Sequence, residues 1–213
     1  MAGEQPVHRT QAVLQSLYID GKRGLCLGAV LLALVLPALV QPELQALLRY
    51  DRNALAGGQW WRWVTGHLVH LDFEHALLNG IGFALLWTLF AGLLRGRDWL
   101  AIVLLSMLSI DLGLWFGQPQ LLWYVGASGV LHGIMAAGCV QLLRHRDRIA
   151  LPTALIFAGK LTYEQWQGPL PFETHAVVIV QAHLYGALGG LLAALLPLGL
   201  TAILRGRNTV DQT

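Results

Sequence analysis

The sequence predicts an all-α polytopic membrane protein with six transmembrane helices, and three observations indicate this class. Of its 213 residues, 55% are hydrophobic and only 12% are charged, whereas a soluble domain normally carries about twice that charged fraction. The mean hydropathy is +0.55. Several apolar runs approach the roughly 20 residues that a helix needs to cross a bilayer. The net charge of +2 is too small to suggest nucleic acid as a partner, so membrane lipids are the expected surroundings.

The chain is predicted to hold one membrane domain between two short tails. We expect a cytoplasmic amino-terminal tail over residues 1–23, a six-span domain over 24–204 and a cytoplasmic carboxy-terminal tail over 205–213. The first apolar run is Gly24–Val40, and a signal peptide is its competing interpretation. The long polar lead and the lack of a clear small-x-small cleavage site favour a retained span.

Five further spans follow a loop that is rich in tryptophan. In this loop Trp61 and Arg62 suit the headgroup layer of a membrane. The later spans are predicted at about Ala76–Leu94, Trp99–Phe116, Val125–Leu143, Ile149–Leu161 and Ala176–Leu198, the last with a continuation to Leu204.

Basic residues predict the orientation. With the amino terminus inside, ten of the 14 Lys and Arg residues fall in inner segments. The other four, on the outer side, are Arg49, Arg52, Arg62 and Lys160. The excess of positive charge on inner segments places both termini in the cytoplasm.

Two polar residues next to small-residue faces are the candidates for catalysis. Ser128 lies near the start of span four, and His183 lies roughly seven residues into span six, about 10 Å deep. Small residues recur every four positions on both spans, at Gly129, Gly133 and Ala137 and at Ala182, Gly186 and Gly190. Such faces let two helix backbones approach closely. If they meet, neutral His183 could activate the Ser128 hydroxyl as a general base. The alternative is that Ser128 is only a small packing residue.

A second pair of polar residues could stabilise an oxyanion. His75 and Asn79 are spaced i,i+4 at the start of span two, so they share one helix face. Either side chain could donate to the oxygen of a tetrahedral intermediate, as could the Ser128 amide. The alternative is a hydrogen bond that merely joins span two to a neighbouring helix.

Four motifs in order resemble those of the rhomboid intramembrane serine proteases. They are the Trp61-Arg62 pair, His75-x-x-x-Asn79, Gly126-Ala127-Ser128-Gly129, and the run from Ala182-His183 through Gly186 to Gly190. The resemblance implies a Ser128–His183 dyad that requires no third carboxylate, with His75 and Asn79 at the oxyanion. It implies supporting roles for Gly126, Gly129 and Gly186, and a stabilising role for Trp61 and Arg62 in the outer loop.

His132 departs from the pattern of many rhomboids, which carry an aromatic residue four positions after the serine. At i+4 it shares the face of Ser128, and it could pack on His183, hydrogen-bond to it or compete with it as base. The stretch Gly126–Gly133 resembles the rhombosortase subgroup. That resemblance implies cleavage of transmembrane protein substrates with Gly-Gly-type carboxy-terminal anchors, in a bacterial inner membrane with the active site opening to the periplasmic side.

Other interpretations remain open. A general rhomboid protease acting on single-span proteins is the first, and a non-catalytic rhomboid-like binding protein is the second. A metal or haem site could use His67, His70 and His75, joined by His132 or His183, although their spacing lacks the pattern of a zinc protease helix. Asp111 in span three could serve a transporter, but a structural pair is favoured because no second acidic residue lies in any predicted span core. No metal or cofactor is expected.

Overall fold

The structure is a computed structural model that describes residues 15, 17–39, 42–171 and 178–208. Most of these residues are in helices. The described α-helices are α1 (Gly21–Val35), α2 (Pro42–Leu48), α3 (Arg52–Ala56), α4 (Arg62–Thr65), α5 (Phe73–Phe90), α6 (Gly96–Gly117), α7 (Ser128–Arg144), α8 (Ala150–Gln167) and α9 (Val180–Asn208). Two short strands, β1 (Tyr50–Asp51) and β2 (Trp123–Tyr124), pair antiparallel. The all-α prediction is confirmed.

Each predicted span corresponds to a helix, but two boundaries differ in ways that matter for the site. Helix α8 continues to Gln167, six residues beyond the predicted end of span five at Leu161. Helix α9 begins at Val180 and runs past Leu204 to Asn208. The predicted start of span six at Ala176, most of the amino-terminal tail (1–14 and 16) and residues 209–213 lie outside the described residues.

Three described helical segments are long and apolar enough to cross a membrane. They are Gly21–Leu39, which is α1 with its 3-10 extension, then α5 and α6, while Val180–Leu196 is a shorter apolar helix. The chain is therefore an integral membrane protein, and six crossings stay a prediction. One face of α6 is apolar and exposed, as expected for a helix that contacts lipid. Four leucines spaced four residues apart on it are 46–60% exposed: Leu100, Leu104, Leu108 and Leu112.

The first of two compact units comprises residues up to Arg95 together with Leu121–Ala127. Here α1 packs against α5. The side chain of Asp72 begins α5 by accepting a hydrogen bond from the His75 amide at 2.8 Å. Asp51 begins α3 in the same way through the Ala54 amide.

Arg62 organises the loop of this unit. Its side chain is buried, and it donates to the backbone oxygens of Ala46 at 2.9 Å and Arg49 at 2.8 Å, and to Gln59 Oε1 at 2.7 Å. A planar guanidinium can bond several acceptors at fixed angles, so Arg62 joins the stretch that contains Ala46 and Arg49 to Gln59. The stabilising role implied for Arg62 agrees with these contacts.

The second unit comprises Gly96–Gln120 and the chain from Ser128 onward. Helix α9 packs against α7 and α6, and α8 packs against α7. Tyr185 of α9 lies over Gly113 and Gly117 of α6, where any larger side chain would overlap its ring. Ser109 of α6 donates to the Tyr185 carbonyl oxygen at 2.7 Å. This packing places the first turn of α9 beside the first turn of α7.

Candidate active site

Ser128 and His183 lie within hydrogen-bond distance of each other. Ser128 Oγ is 3.0 Å from His183 Nε2, and His183 is buried. Ser128 is the first residue of α7, and His183 is in the first turn of α9 rather than seven residues into a span. His183 is the fourth residue of α9 because this helix begins at Val180, and its depth in the bilayer stays a prediction. Both residues therefore lie at helix amino termini, at matching levels of this unit.

The two small-residue faces meet, as predicted, and their contact sets this distance. A side chain at Gly186 would overlap the carbonyl oxygen of Gly129, and one at Gly190 would overlap that of Gly133. Backbone therefore packs directly on backbone between α7 and α9.

A carboxylate contacts the far side of the histidine ring. His183 Nδ1 is 3.1 Å from both carboxylate oxygens of Glu164, which lies on α8 and is fully buried. An ionised carboxylate only accepts hydrogen bonds, so the proton of neutral His183 resides on Nδ1. The lone pair then resides on Nε2 and faces the Ser128 hydroxyl. This is the tautomer that a general base requires.

Glu164 is the residue that sequence reasoning missed. The resemblance implied a dyad without a third carboxylate, and span five was ended at Leu161, three residues before Glu164. Glu164 therefore lay outside the span cores that were searched for acidic residues. One signal was present: Lys160 and Glu164 stand i,i+4 at the end of an apolar run, where charged side chains are costly and tend to be functional.

Lys160, to which the sequence assigned no role, joins Glu164 to His132. Its ammonium group donates to Glu164 Oε1 and lies 3.0 Å from His132 Nε2. The Lys160 side chain is 27% exposed, whereas that of Glu164 is 0% exposed. A buried carboxylate is stable in hydrocarbon surroundings only with such a partner, so the ion pair keeps Glu164 ionised.

His132 packs on His183. The two rings stack at 4.0 Å with an interplanar angle of 9°. His132 Nδ1 is 2.7 Å from the Ser128 carbonyl oxygen, and its Nε2 faces Lys160. A carbonyl accepts and an ammonium donates, so Nδ1 carries the proton and Nε2 accepts from Lys160. Both ring nitrogens are engaged, and neither is directed at the Ser128 hydroxyl.

The same residues include three metal-ligand types. Ligand atoms of His132, Glu164 and His183 all lie within 4.8 Å of one another. Ligating imidazoles direct a nitrogen lone pair at the metal, but here the rings lie face to face and the Lys160 ammonium already contacts two of the three groups. A metal ion would have to displace this ammonium. The arrangement fits proton transfer better than metal binding.

The start of α7 supplies donors for an oxyanion. The first backbone N–H groups of a helix have no acceptor within the helix, and they carry the positive end of its dipole. Ser128 is the first residue of α7, so its own amide is one of these donors. An oxygen that becomes negative beside Ser128 would be stabilised there.

The predicted oxyanion residues His75 and Asn79 belong to the first unit. Asn79 is buried, and its amide donates to the His75 carbonyl oxygen at 2.9 Å. The His75 ring lies against Gly126, where a Cβ would come within 2.9 Å of His75 Cε1. Gly126 also has a φ of +117°, which favours glycine. These two requirements explain the glycine two positions before Ser128.

His70 holds the same stretch from another side. Its Nε2 lies 3.5 Å from the Ala127 amide, and its ring meets that of His75 edge-on at 5.0 Å. Burial, reinforced by the neighbouring His75, lowers the pKa of His70 to about 4. The ring is therefore neutral at pH 7 and can accept from Ala127.

The remaining singled-out residues lie apart from these contacts. Asp111 is buried in α6, and its structural pairing stays a prediction. Cys26 in α1 and Cys139 in α7 are both free thiols.

Comparison with known proteins agrees with the geometry. The profile of the family described as "Rhomboid domain" matches residues 57–199. The chain is also similar to the Bacillus subtilis (strain 168) protein named "Putative rhomboid protease YdcA". The two are 26% identical over 148 residues, which cover 67% of this chain and 69% of that protein.

Proposed function

This chain belongs to the rhomboid family, and from that premise we propose that it is an intramembrane serine protease in which Ser128 is the nucleophile and His183 the general base. The observation that carries the proposal is the 3.0 Å contact between Ser128 Oγ, which is partly exposed, and Nε2 of the buried His183. A serine hydroxyl is a weak nucleophile at neutral pH and needs such a base.

The first half of the reaction cleaves the peptide bond. Ser128 Oγ bonds to the carbonyl carbon of the substrate while its proton passes to His183 Nε2. The tetrahedral intermediate carries its negative charge beside the Ser128 amide. It then collapses as the carbon–nitrogen bond breaks, and His183 returns the proton to the leaving amine. The products of this half are a free amine and an acyl ester on Ser128.

The second half releases the acid. His183 takes a proton from water, the resulting hydroxyl oxygen bonds to the ester carbon, and the bond to Ser128 Oγ breaks. His183 then returns the proton to Ser128. The assignment of His75 and Asn79 as further oxyanion donors stays a prediction from the sequence. Removal of one such donor typically costs about 100- to 1,000-fold in rate.

The proposed substrates are membrane-tethered proteins cut in or near a carboxy-terminal anchor of the Gly-Gly type. One support is the resemblance of Gly126–Gly133 to the rhombosortase subgroup. Another is that glycine residues near the cut would weaken the substrate helix, which must unwind before cleavage. An open depression of about 430 Å³ on the second unit is lined by Leu161, Thr162, Gln165, Trp166 and Leu184. Its mostly apolar lining, which includes the residue after His183, suits an apolar segment.

The test is cleavage of two reporters in liposomes that contain the purified protein. One reporter ends in a Gly-Gly-type anchor, and the other is a single-span protein without that motif. We expect wild-type protein to cut the first at least tenfold faster, and we expect Ser128→Ala and His183→Ala to cut neither. Equal rates on both reporters would favour a general rhomboid protease instead.

A covalent probe provides an independent measurement. A fluorophosphonate should label wild-type protein at Ser128 and should fail to label His183→Ala. Uncleaved reporters with wild-type protein, together with no labelling of Ser128, would identify a non-catalytic member of the family.

A further inference from the structure

Resting on the proposed function, we infer that Glu164 is a positioning residue that completes a Ser128–His183–Glu164 triad, with Lys160 as its counter-ion. The residue acts through His183 and does not touch the substrate. The end of α8 thereby gains a role, although none of the four rhomboid-like motifs lies on it.

The contact geometry supports a positioning role. Both carboxylate oxygens of Glu164 lie 3.1 Å from His183 Nδ1, so the ring is held from one side by Glu164 and from the other by Ser128. His132 stacks on its face at 4.0 Å. The ring thus has little freedom to rotate, and its Nε2 stays directed at the hydroxyl.

The charges support it as well. During serine attack His183 gains a proton and becomes cationic within a buried site. The Glu164 carboxylate stabilises that cation without taking its proton. Lys160 balances the carboxylate when His183 is neutral, so the resting site does not hold an unpaired negative charge. The titratable and charged groups that face Glu164 among the described residues are Lys160 on α8, His183 on α9 and, through Lys160, His132 on α7.

The first test is Glu164→Gln, assayed on the anchored reporter. In serine proteases with a carboxylate third member, the same change to an amide lowers kcat by about 10⁴-fold, and we expect a loss of about 100- to 10,000-fold here. KM should change less than threefold, since Glu164 does not contact the substrate. The acidic limb of the kcat/KM profile should move to lower pH, because a cationic His183 loses its carboxylate.

Lys160→Met provides the opposite charge change. Without the Lys160 ammonium, the Glu164 carboxylate stabilises a cationic His183 more strongly. The acidic limb of the kcat/KM profile should therefore move to higher pH. A residue that only joins helices would move neither limb. Unmoved limbs in both variants would overturn the inference.

Two controls separate chemistry from folding. Ser109→Ala removes the hydrogen bond from α6 to Tyr185, two residues after His183, and should leave kcat within threefold of wild type. The double variant Glu164→Gln/Lys160→Met removes both charges and leaves neither unpaired, so it should fold. A double variant that elutes as a folded protein with wild-type kcat would overturn the inference.

The outcomes also distinguish this inference from the proposed function. If Ser128→Ala abolishes cleavage while Glu164→Gln behaves like Ser109→Ala, the dyad acts alone and only the inference is wrong. If Ser128→Ala cleaves normally, the proposed function is wrong and Glu164 has no catalytic partner.

Discussion

At the residue scale, the site is defined by which nitrogen of each histidine carries a proton. Glu164 places the His183 proton on Nδ1, and the Ser128 carbonyl places the His132 proton on Nδ1 as well. The consequences differ, because the Nε2 of His183 faces a hydroxyl whereas that of His132 faces Lys160. The sequence alone left three roles open for His132. Its contacts favour packing on His183, and one of its hydrogen-bond partners, Lys160, lies 28 residues away on α8.

His132→Phe should keep most of the activity. A phenyl ring can still stack on His183, although it cannot donate to Ser128 or accept from Lys160. We expect kcat/KM on the anchored reporter to fall less than tenfold, and fluorophosphonate labelling of Ser128 to persist.

The matched variant is His183→Phe, which keeps an aromatic ring but lacks a base and should lose both cleavage and labelling. The reverse result, with labelling lost in His132→Phe and kept in His183→Phe, would mean that His132 is the base.

At the element scale, the contact between α7 and α9 could be predicted, whereas the contribution of α8 could not. Glycines spaced four apart on two apolar runs predict helices that touch, and Gly129 does meet Gly186. Helix α8 offered no such pattern. Its hydropathy falls after Leu161, where Thr162, Glu164, Gln165 and Gln167 follow, so the apolar run ends before the helix does. The side chain that was missed lies in those last six residues.

Gly190→Ala should destabilise the fold. Its new methyl group would overlap the Gly133 carbonyl oxygen, a backbone atom that cannot move aside. Overpacking of this kind costs about 1–3 kcal/mol, and we expect a lower unfolding temperature in detergent.

Gly159→Ala is the matched control, since α8 has open space around that position. Replacing a helical glycine there should stabilise the protein by about 0.5–1 kcal/mol. Equal unfolding temperatures for the two variants would contradict close packing at Gly190.

At the scale of the whole molecule, composition and apolar runs predicted an all-α membrane protein, and motifs predicted its family. Both are matters of average character and local spacing, which a sequence displays directly. The proton network is different, because Ser128, Glu164 and His183 come from three helices and their meeting depends on tertiary packing. Lys160 also shows what a count of basic residues leaves out. The orientation was predicted with Lys160 as an outer-side charge, but a count does not show that its ammonium group pairs with Glu164.

Lowering the pH from about 6.5 to about 4 should reduce the free energy of unfolding, because the buried His70 ring resists protonation in the folded protein. The native pKa of about 4 lies below the ordinary 6.5, so in this window the unfolded chain binds a proton that the native ring does not. The native state is therefore disfavoured progressively as the pH falls, by about 3 kcal/mol in total.

Unfolding temperatures in detergent between pH 7 and pH 5 test this, with His70→Gln as the comparison. The variant cannot titrate in that range, so it should lose less stability than wild type over the same interval. Parallel curves for the two proteins would show that another group is responsible.

The glycine contact between α7 and α9 also bears on how the protein responds to bilayers of different thickness. Single transmembrane helices adjust to a thicker or thinner hydrocarbon layer by tilting. Because these two helices touch backbone to backbone within two turns of Ser128 and His183, we expect them to tilt together. The separation of the alcohol and the imidazole should then stay the same in lipids of different acyl-chain length.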